Sequence, residues 1–302
     1  MSERPSLIEL ALLELLASKR SLGLEEVSSE LGLERGEVLE AFEKLSRNYM
    51  VRLEGGRISW FNGDNPSLFK PWGWMTHYKI VAGSTMVAAR FLNPWSIVVA
   101  EYQLSGRGRF GKNWVSNLGG LWVTYKLRAS PRAASISSIA IPLAVVEALE
   151  KNSNVVFNVK WPNDITFRGR KIAGVLLEAE SMGEDIILYA GLGVNVNNEP
   201  PLDTATSLKS ILGELTPRNK ILSTITSLVS RLEHYARRSE NLIREYTSRL
   251  ETLGRRVVVE SEEGLLEGVV EDVDEQGRIV LKTDKGLMSL EPYKARNLRY
   301  VD

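Results

Sequence analysis

Ser105-Gly106-Arg107-Gly108-Arg109-Phe110-Gly111-Lys112-Asn113-Trp114 is the stretch on which the reading of this chain turns. Its glycines let the backbone come close to a ligand and present N–H groups. The guanidinium forks between them bind carboxylate or phosphate oxygens with charge-assisted hydrogen bonds of ~1.5–3 kcal/mol each. From Gln103 to Val145 there is no Asp or Glu, whereas Arg107, Arg109, Lys112, Lys126, Arg128 and Arg132 are all cationic, in a chain whose 38 Lys and Arg balance 38 Asp and Glu. The segment is a local positive field suited to an anion, and Trp114 offers a stacking face for a flat heterocycle. Two other motifs fit less well. As Gly-x-Gly-x-x-Gly the stretch lacks both an acidic residue about twenty positions on and a following helix. As Gly-x-x-x-x-Gly-Lys it carries Asn113 where a P-loop needs a hydroxyl for magnesium. A solvated basic loop near a nucleic acid remains as the plain alternative.

Outward from this loop the chain alternates strands and helices. Strands are expected around Ser96–Tyr102, Leu121–Leu127, Val155–Lys160, Arg170–Glu178 and Ile186–Val194, with a helix from about Ser135 to Lys151. Thr216-Pro217 reads as an N-cap with Pro at the first helical position, opening one long helix with Ile221, Ile225, Leu228 and Leu232 on a single face. A second group, Lys160-Trp161-Pro162-Asn163-Asp164 with Lys171 beyond it, could place Asn163 and Asp164 oxygens for magnesium, or be a plain turn with surface lysines. Gly191-Leu192-Gly193-Val194-Asn195 repeats the glycine logic after an apolar strand.

The flanks read differently. From Ser6 to Trp60, three helical periods end in a hairpin about Glu54-Gly55-Gly56, the pattern of a winged helix-turn-helix. Asn62 to Ser67 is dense in turn residues and reads as a linker, so the N-terminal module is expected to have its own core and to be dispensable for assembly of the site. After Gly254, short alternating strands suggest a small antiparallel barrel. Three domains follow: residues 1–65, 76–252 and 253–302.

Composition removes several chemistries. With no cysteine there is no disulfide framework, thiolate metal site or catalytic thiol, which fits a reducing, cytoplasmic compartment. The only histidines, His77 and His234, make a His-based metal cage or acid–base pair improbable. No apolar run reaches the ~18 residues of a membrane span, and the start of the chain leads into no signal-like segment.

Taken in order and spacing, the three loops resemble those of biotin protein ligases, from about His77 to Leu208. The resemblance rests on Glu101-Tyr102-Gln103 with Gly106-Arg107-Gly108-Arg109 and Trp114, on Lys160 to Asp164 with Lys171-Ile172-Ala173-Gly174, and on Gly191 to Asn195. Ser84-Thr85 is similar to the family's Ser-Thr-Asn, with Met86 where Asn is usual, and Lys112 replaces a common Arg. The resemblance implies an α+β fold with a mixed sheet like that of class II synthetases, preceded by the winged helix and followed by an SH3-like barrel. It implies condensation of biotin with ATP to biotinyl-5′-adenylate, then transfer to a lysine of a biotin carboxyl carrier domain of a carboxylase. Lys171 and Arg109 would be catalytic. Ser84, Thr85, Gln103, Arg107, Gly108, Arg109, Lys171, Gly174, Gly191 and Gly193 would bind biotin, and Arg107, Arg109, Lys112, Trp114, Asn163, Asp164 and Asn195 the nucleotide. Magnesium would lie near Asn163 and Asp164, with no structural metal. Lipoate ligation and a second role as operon repressor are the rival readings, and a homodimer stays open. DNA binding is disfavoured because residues 1–62 hold eleven acidic against eight basic residues, with Glu34, Glu37, Glu40 and Glu43 along the recognition helix.

Overall fold

The structure, a computed structural model, describes residues 4–301. Ser6 opens α1 (Leu7–Lys19) through a capping box, its hydroxyl accepting from the Glu9 N–H while the Glu9 carboxylate accepts from the Ser6 N–H. The chain continues through β1 (Ser21–Gly23), α2 (Leu24–Leu31), α3 (Arg35–Ser46), β2 (Val51–Glu54) and β3 (Arg57–Trp60). Gly55 and Gly56 take the positive φ of 57° and 76° that a two-residue hairpin turn requires. Leu12, Leu16, Val27, Val38, Leu45 and Ile58 close one apolar core. The third strand, β1, pairs with β3, giving the order β1-β3-β2. At three residues it is too short to show alternation in the sequence.

The central unit comprises β4 (Met75–Ala82), α4 (Thr85–Arg90), β5 (Ser96–Arg107), β6 (Asn113–Ser116), β7 (Leu121–Ala129), α5 (Pro131–Lys151), β8 (Asn158–Lys160), β9 (Asp164–Phe167), β10 (Arg170–Met182) and β11 (Asp185–Val194). These strands form one mixed sheet in the order β4-β5-β7-β11-β10-β9-β8. β4 is parallel to β5, the other pairs are antiparallel, and β6 folds back on the end of β5. Helix α5 starts four residues before the expected Ser135, because Ser130 caps it and Pro131 occupies its first position. Its 21 residues have the length and apolar composition of a membrane span, yet most are buried here as the core beneath β7, β10 and β11.

The helix expected after Thr216 is shorter than its pattern suggested. After α6 (Leu208–Leu212), α7 (Arg218–Val229) begins with Pro217 as its N-cap, and the chain breaks into α8 (Leu232–Ala236) and α9 (Ser239–Ser248). Leu232 still reaches the core, but from α8. The C-terminal strands β12 (Arg256–Ser261), β13 (Gly264–Val273), β14 (Ile279–Thr283), β15 (Gly286–Leu290) and β16 (Ala295–Tyr300) form an antiparallel sheet in the order β15-β14-β13-β12-β16. Val257, Val259, Val270, Ile279 and Leu281 continue the central core without a break.

The turn-rich stretch after Trp60 is not a solvated linker. Asp64 and Asn65 are fully buried, and the Asp64 carboxylate takes the Arg218 Nε–H at 2.8 Å, the Trp60 indole N–H at 3.0 Å and the Met50 N–H at 3.1 Å. The Arg218 Nη1 goes on to Glu101 Oε2 at 2.6 Å, and Glu101 also accepts from the Tyr49 and Tyr78 hydroxyls at 3.0 Å each. Leu118 of the central unit sits in the N-terminal core, with Ile80 and Tyr102 packed against it. Composition suggested a linker because Asn, Gly, Asp and Pro favour turns, but here the turn serves to carry a buried carboxylate.

Removing residues 1–65 would therefore strip Tyr49 and Asp64 from Arg218 and Glu101 and leave both charges buried with incomplete partners. For the single change Asp64→Ala we expect a loss of about 3–5 kcal/mol in denaturant unfolding, since breaking a buried pair strands its other member. Arg35→Ala, whose pair with Glu25 is solvent-exposed, should cost under about 1 kcal/mol. Similar losses for the two variants would show that the junction carries no special weight.

Candidate active site

Successive residues of β10 and β11 point to opposite faces, so Val175, Leu188, Ala190 and Leu192 join the core while Gly174, Leu176, Gly191 and Gly193 face the side that carries α4. On that side a cavity of about 250 Å³ lies between the end of β5, the Arg107–Lys112 loop, β9, β10, β11 and the start of β16. Glycine is required there by close approach. A Cβ on Gly174 would lie 2.8 Å from Trp114 Cζ3, and one on Gly193 would overlap the same indole. Trp114 is thus a wall of the cavity packed on two glycines. Its Nε1–H is buried without a protein partner.

Polar groups converge on this slot from three elements. Gln103 accepts from the Thr85 N–H at 2.8 Å and the Thr85 hydroxyl at 3.1 Å, and its amide donates to Ser116 Oγ at 2.7 Å. Thr124 donates to Thr85 at 2.9 Å, so the Gln103 amide is locked in orientation. Ser84, the N-cap of α4, keeps a buried hydroxyl with no partner among the described residues, a polar group at the cavity wall. Lys171 Nζ lies 2.7 Å from Asp164 Oδ1 and 4.7 Å from the centre of the Trp114 ring.

The Arg107–Lys112 loop closes on itself, Gly108 N–H donating to the Lys112 carbonyl at 2.7 Å. Arg109 Nη1 donates to Asn163 Oδ1 at 3.3 Å while the Asn163 amide is spent on the Val175 carbonyl. Burial pulls the Arg109 pKa down and the nearby Asp164 carboxylate acts against that pull. Among the described residues six cations, Arg107, Arg109, Lys112, Lys160, Lys171 and Arg296, line the cavity against the single carboxylate of Asp164, an arrangement that favours a multiply anionic ligand. Among the described residues no three His, Asp or Glu side chains cluster as a metal site.

Of the residues singled out from sequence, Ser84, Thr85, Gln103, Arg107, Gly108, Arg109, Lys112, Trp114, Asn163, Asp164, Lys171, Gly174, Gly191 and Gly193 all line this one cavity. Asn195 does not. Its side chain accepts from Asn198 at 2.9 Å and its backbone N–H bonds to Ile172, so it braces the chain behind β11. The positive field also divides. The Lys126 ammonium donates to the carbonyl of Arg90, the last residue of α4, at 3.1 Å and to that of Leu92 just beyond it at 2.5 Å, and Arg128 pairs with Asp185 at 3.5 Å. Arg132 does not line the cavity, and neither histidine does. Sequence reading missed Ala295 to Leu298, which complete the wall from the C-terminal unit. Nothing local marks them, because they lie far along the chain from the loops they meet.

Residues 84–197 match the Biotin/lipoate A/B protein ligase family, and residues 252–295 match the Biotin protein ligase C terminal domain. The biotin--[acetyl-CoA-carboxylase] ligase of Mycobacterium tuberculosis is 33% identical over 194 residues, covering 61% of this chain and 72% of that protein. The bifunctional ligase/repressor BirA of Bacillus subtilis is 28% identical over 207 residues, 65% of this chain, which spans 64% of that relative's length. Among solved structures, the biotin protein ligase from Aquifex aeolicus in complex with biotin and ATP superposes with a TM-score of 0.66 at 26% identity, over 75% of this chain and 99% of that one. On these matches the chain belongs to the biotin protein ligase family, a family of ligases.

Proposed function

We propose that this protein is an ATP-dependent biotin protein ligase. Biotin's carboxylate oxygen attacks the α-phosphorus of ATP, the bond to pyrophosphate breaks, and biotinyl-5′-adenylate forms. The amine of an acceptor lysine then attacks the acyl carbon, AMP leaves with the bonding pair, and the amine's proton passes to solvent. The acceptor would be a biotin carboxyl carrier domain of a carboxylase. The observation that carries the reading is six cations around a glycine-walled slot whose deep end offers Ser84, Thr85 and Gln103. Two anions must meet before they can react, and preorganised cations lower that barrier without an enzyme nucleophile. This suits a chain with no cysteine.

Lys171 would face both the biotin carboxylate and the α-phosphate, exchanging its pair with Asp164 for theirs. Arg107, Arg109 and Lys112 would hold phosphate, and Gln103, Ser84 and Thr85 would read the ureido ring. The Trp114 indole supports a place beside the biotin tail between Gly174 and Gly193 more than a separate adenine platform. The cavity's donors do not build a magnesium cage. Asp164 is its one carboxylate and is paired with Lys171, and Asn163 is engaged by Arg109 and Val175. Magnesium would arrive with the nucleotide, neutralising phosphate charge.

The three helices and hairpin of residues 1–65 support a winged helix-turn-helix, residues 76–252 a class II synthetase-like catalytic domain, and residues 253–302 an SH3-like barrel. A repressor role finds less support. Lys19, Arg35, Lys44, Arg52 and Arg57 of the N-terminal unit are paired with Glu30, Glu25, Glu40, Glu54 and Glu26. These exposed pairs are weak, and each adjacent carboxylate lowers the positive potential that a phosphate would meet.

Biotin should trigger pyrophosphate release from ATP and lipoate should not. A response to lipoate alone would move the chain to lipoate ligation. Lys171→Ala should lower adenylate formation about 10²–10³-fold or more with the fold intact, while Arg109→Gly should speed escape of biotinyl-adenylate and label bystander lysines, measured by streptavidin blotting. On the DNA question, the Glu37 carboxylate caps α3 by accepting from the Glu34 N–H at 2.9 Å, so both residues should be left in place. Glu40→Gln with Glu43→Gln should raise non-specific DNA affinity at low salt, whereas tight, adenylate-dependent, salt-sensitive binding by the unaltered protein would restore the repressor.

A further inference from the structure

Three residues of the glycine-arginine loop face one strip of the C-terminal unit. Arg109 Nη2 donates to the Pro292 carbonyl and to the Ala295 carbonyl at 2.8 Å, and Lys112 Nζ reaches the Arg296 carbonyl at 3.4 Å. The Arg296 guanidinium stands 6.0 Å from the centre of the Phe110 ring. The strip is a single 3-10 turn, Pro292–Lys294, running into β16. A guanidinium has five N–H groups. Two are taken by these carbonyls and one by Asn163, which leaves the Nε–H and one hydrogen on Nη1 for a ligand.

The chemistry of these partners matters. A half-buried guanidinium needs oxygen acceptors, and a carboxylate would supply them while cancelling the charge. Carbonyls satisfy the hydrogens and keep the positive charge available to an anion. The C-terminal unit that carries the strip is seated at a second place, the turn before β14, through the Trp161 indole N–H to the Gly277 carbonyl at 2.9 Å and Ser138 Oγ of α5 to the Gln276 carbonyl at 3.4 Å.

We propose that the carbonyls of Pro292 and Ala295 are the positioning groups for Arg109, so that the C-terminal unit, seated on α5 through the Gly277 turn, holds the loop closed over the cavity. What the closed loop retains rests on the ligase reading. The closure itself rests on the contacts alone.

The test uses the full-length protein with two variants at positions outside the cavity lining. Gly277→Val places a Cβ 2.5 Å from Ser138 Oγ at a φ of +77° and lifts the seat. Pro292→Gly loosens the turn that presents the carbonyls, and stands in if the first variant does not fold. In ligand-free protein, tryptic cleavage at Arg107, Arg109 and Lys112 should quicken about tenfold in each variant, since cleavage follows the open population. Escape of biotinyl-adenylate should also rise about tenfold, the equivalent of one charge-assisted bond. In an Arg109→Gly background neither change should add more than about twofold, because the effect runs through that side chain. Unchanged cleavage in both variants, or additive escape in the Arg109→Gly background, overturns the proposal. If the unaltered protein makes no biotinyl-adenylate, the ligase reading fails, and the cleavage arm still decides closure.

Discussion

Arg218 holds a full positive charge with 1% of its side chain exposed, and much of the molecule is arranged to make that charge tolerable. Its guanidinium donates to Asp64, to Glu101 and to the carbonyls of Asp64 and Gly120, and it stands 4.8 Å over the ring of Tyr49. Burial and the adjacent Glu101 push the Tyr49 and Tyr78 hydroxyls well above their ordinary pKa, so both stay protonated and donate to that carboxylate. A buried ion group of this kind adds little net stability when complete, yet it penalises every arrangement in which one member is missing. It therefore acts as a registration device between the N-terminal unit, the sheet and α7.

The reach of that device extends to the cavity. Glu101 is two residues before Gln103 on β5, so the strand that presents this cavity-lining amide is anchored at the same point as the N-terminal unit. The Gly119 N–H donates to the Tyr49 hydroxyl at 3.1 Å, and the Gly119 carbonyl accepts from Asn197 at 2.9 Å, which carries the connection to the chain after β11. Two of the three loops that meet in the site thus depart from elements tied to one buried guanidinium. The third, Lys160 to Asp164, is braced by the C-terminal unit through Trp161.

Within the site the cations are managed in two ways. Lys171 is balanced by a carboxylate that an incoming anion can replace, whereas Arg109 is balanced by carbonyls that leave its charge standing. The first arrangement suits a group that must change partners during a reaction. The second suits one that must stay in place.

The sequence by itself determined most of the residue types that line the cavity. Glycines beside arginines, the Asn163-Asp164 turn with Lys171, and the Gly191-x-Gly193 strand end were legible because a ligand's needs for close backbone approach and charge are met by local residue types. Strands and the main helix were legible from apolar period, and boundaries drifted where caps such as Ser130 or the break after Val229 decided them. Other features belonged to the tertiary structure. Asp64 looked like a linker residue because its partner Arg218 is 154 positions away, and Asn195 looked like a ligand group because its own partner, Asn198, is set by how the chain turns after β11. The C-terminal wall at Ala295 to Leu298 carries no local signal at all. Charge balance and close packing act through space, and only the folded chain brings together the groups that satisfy them.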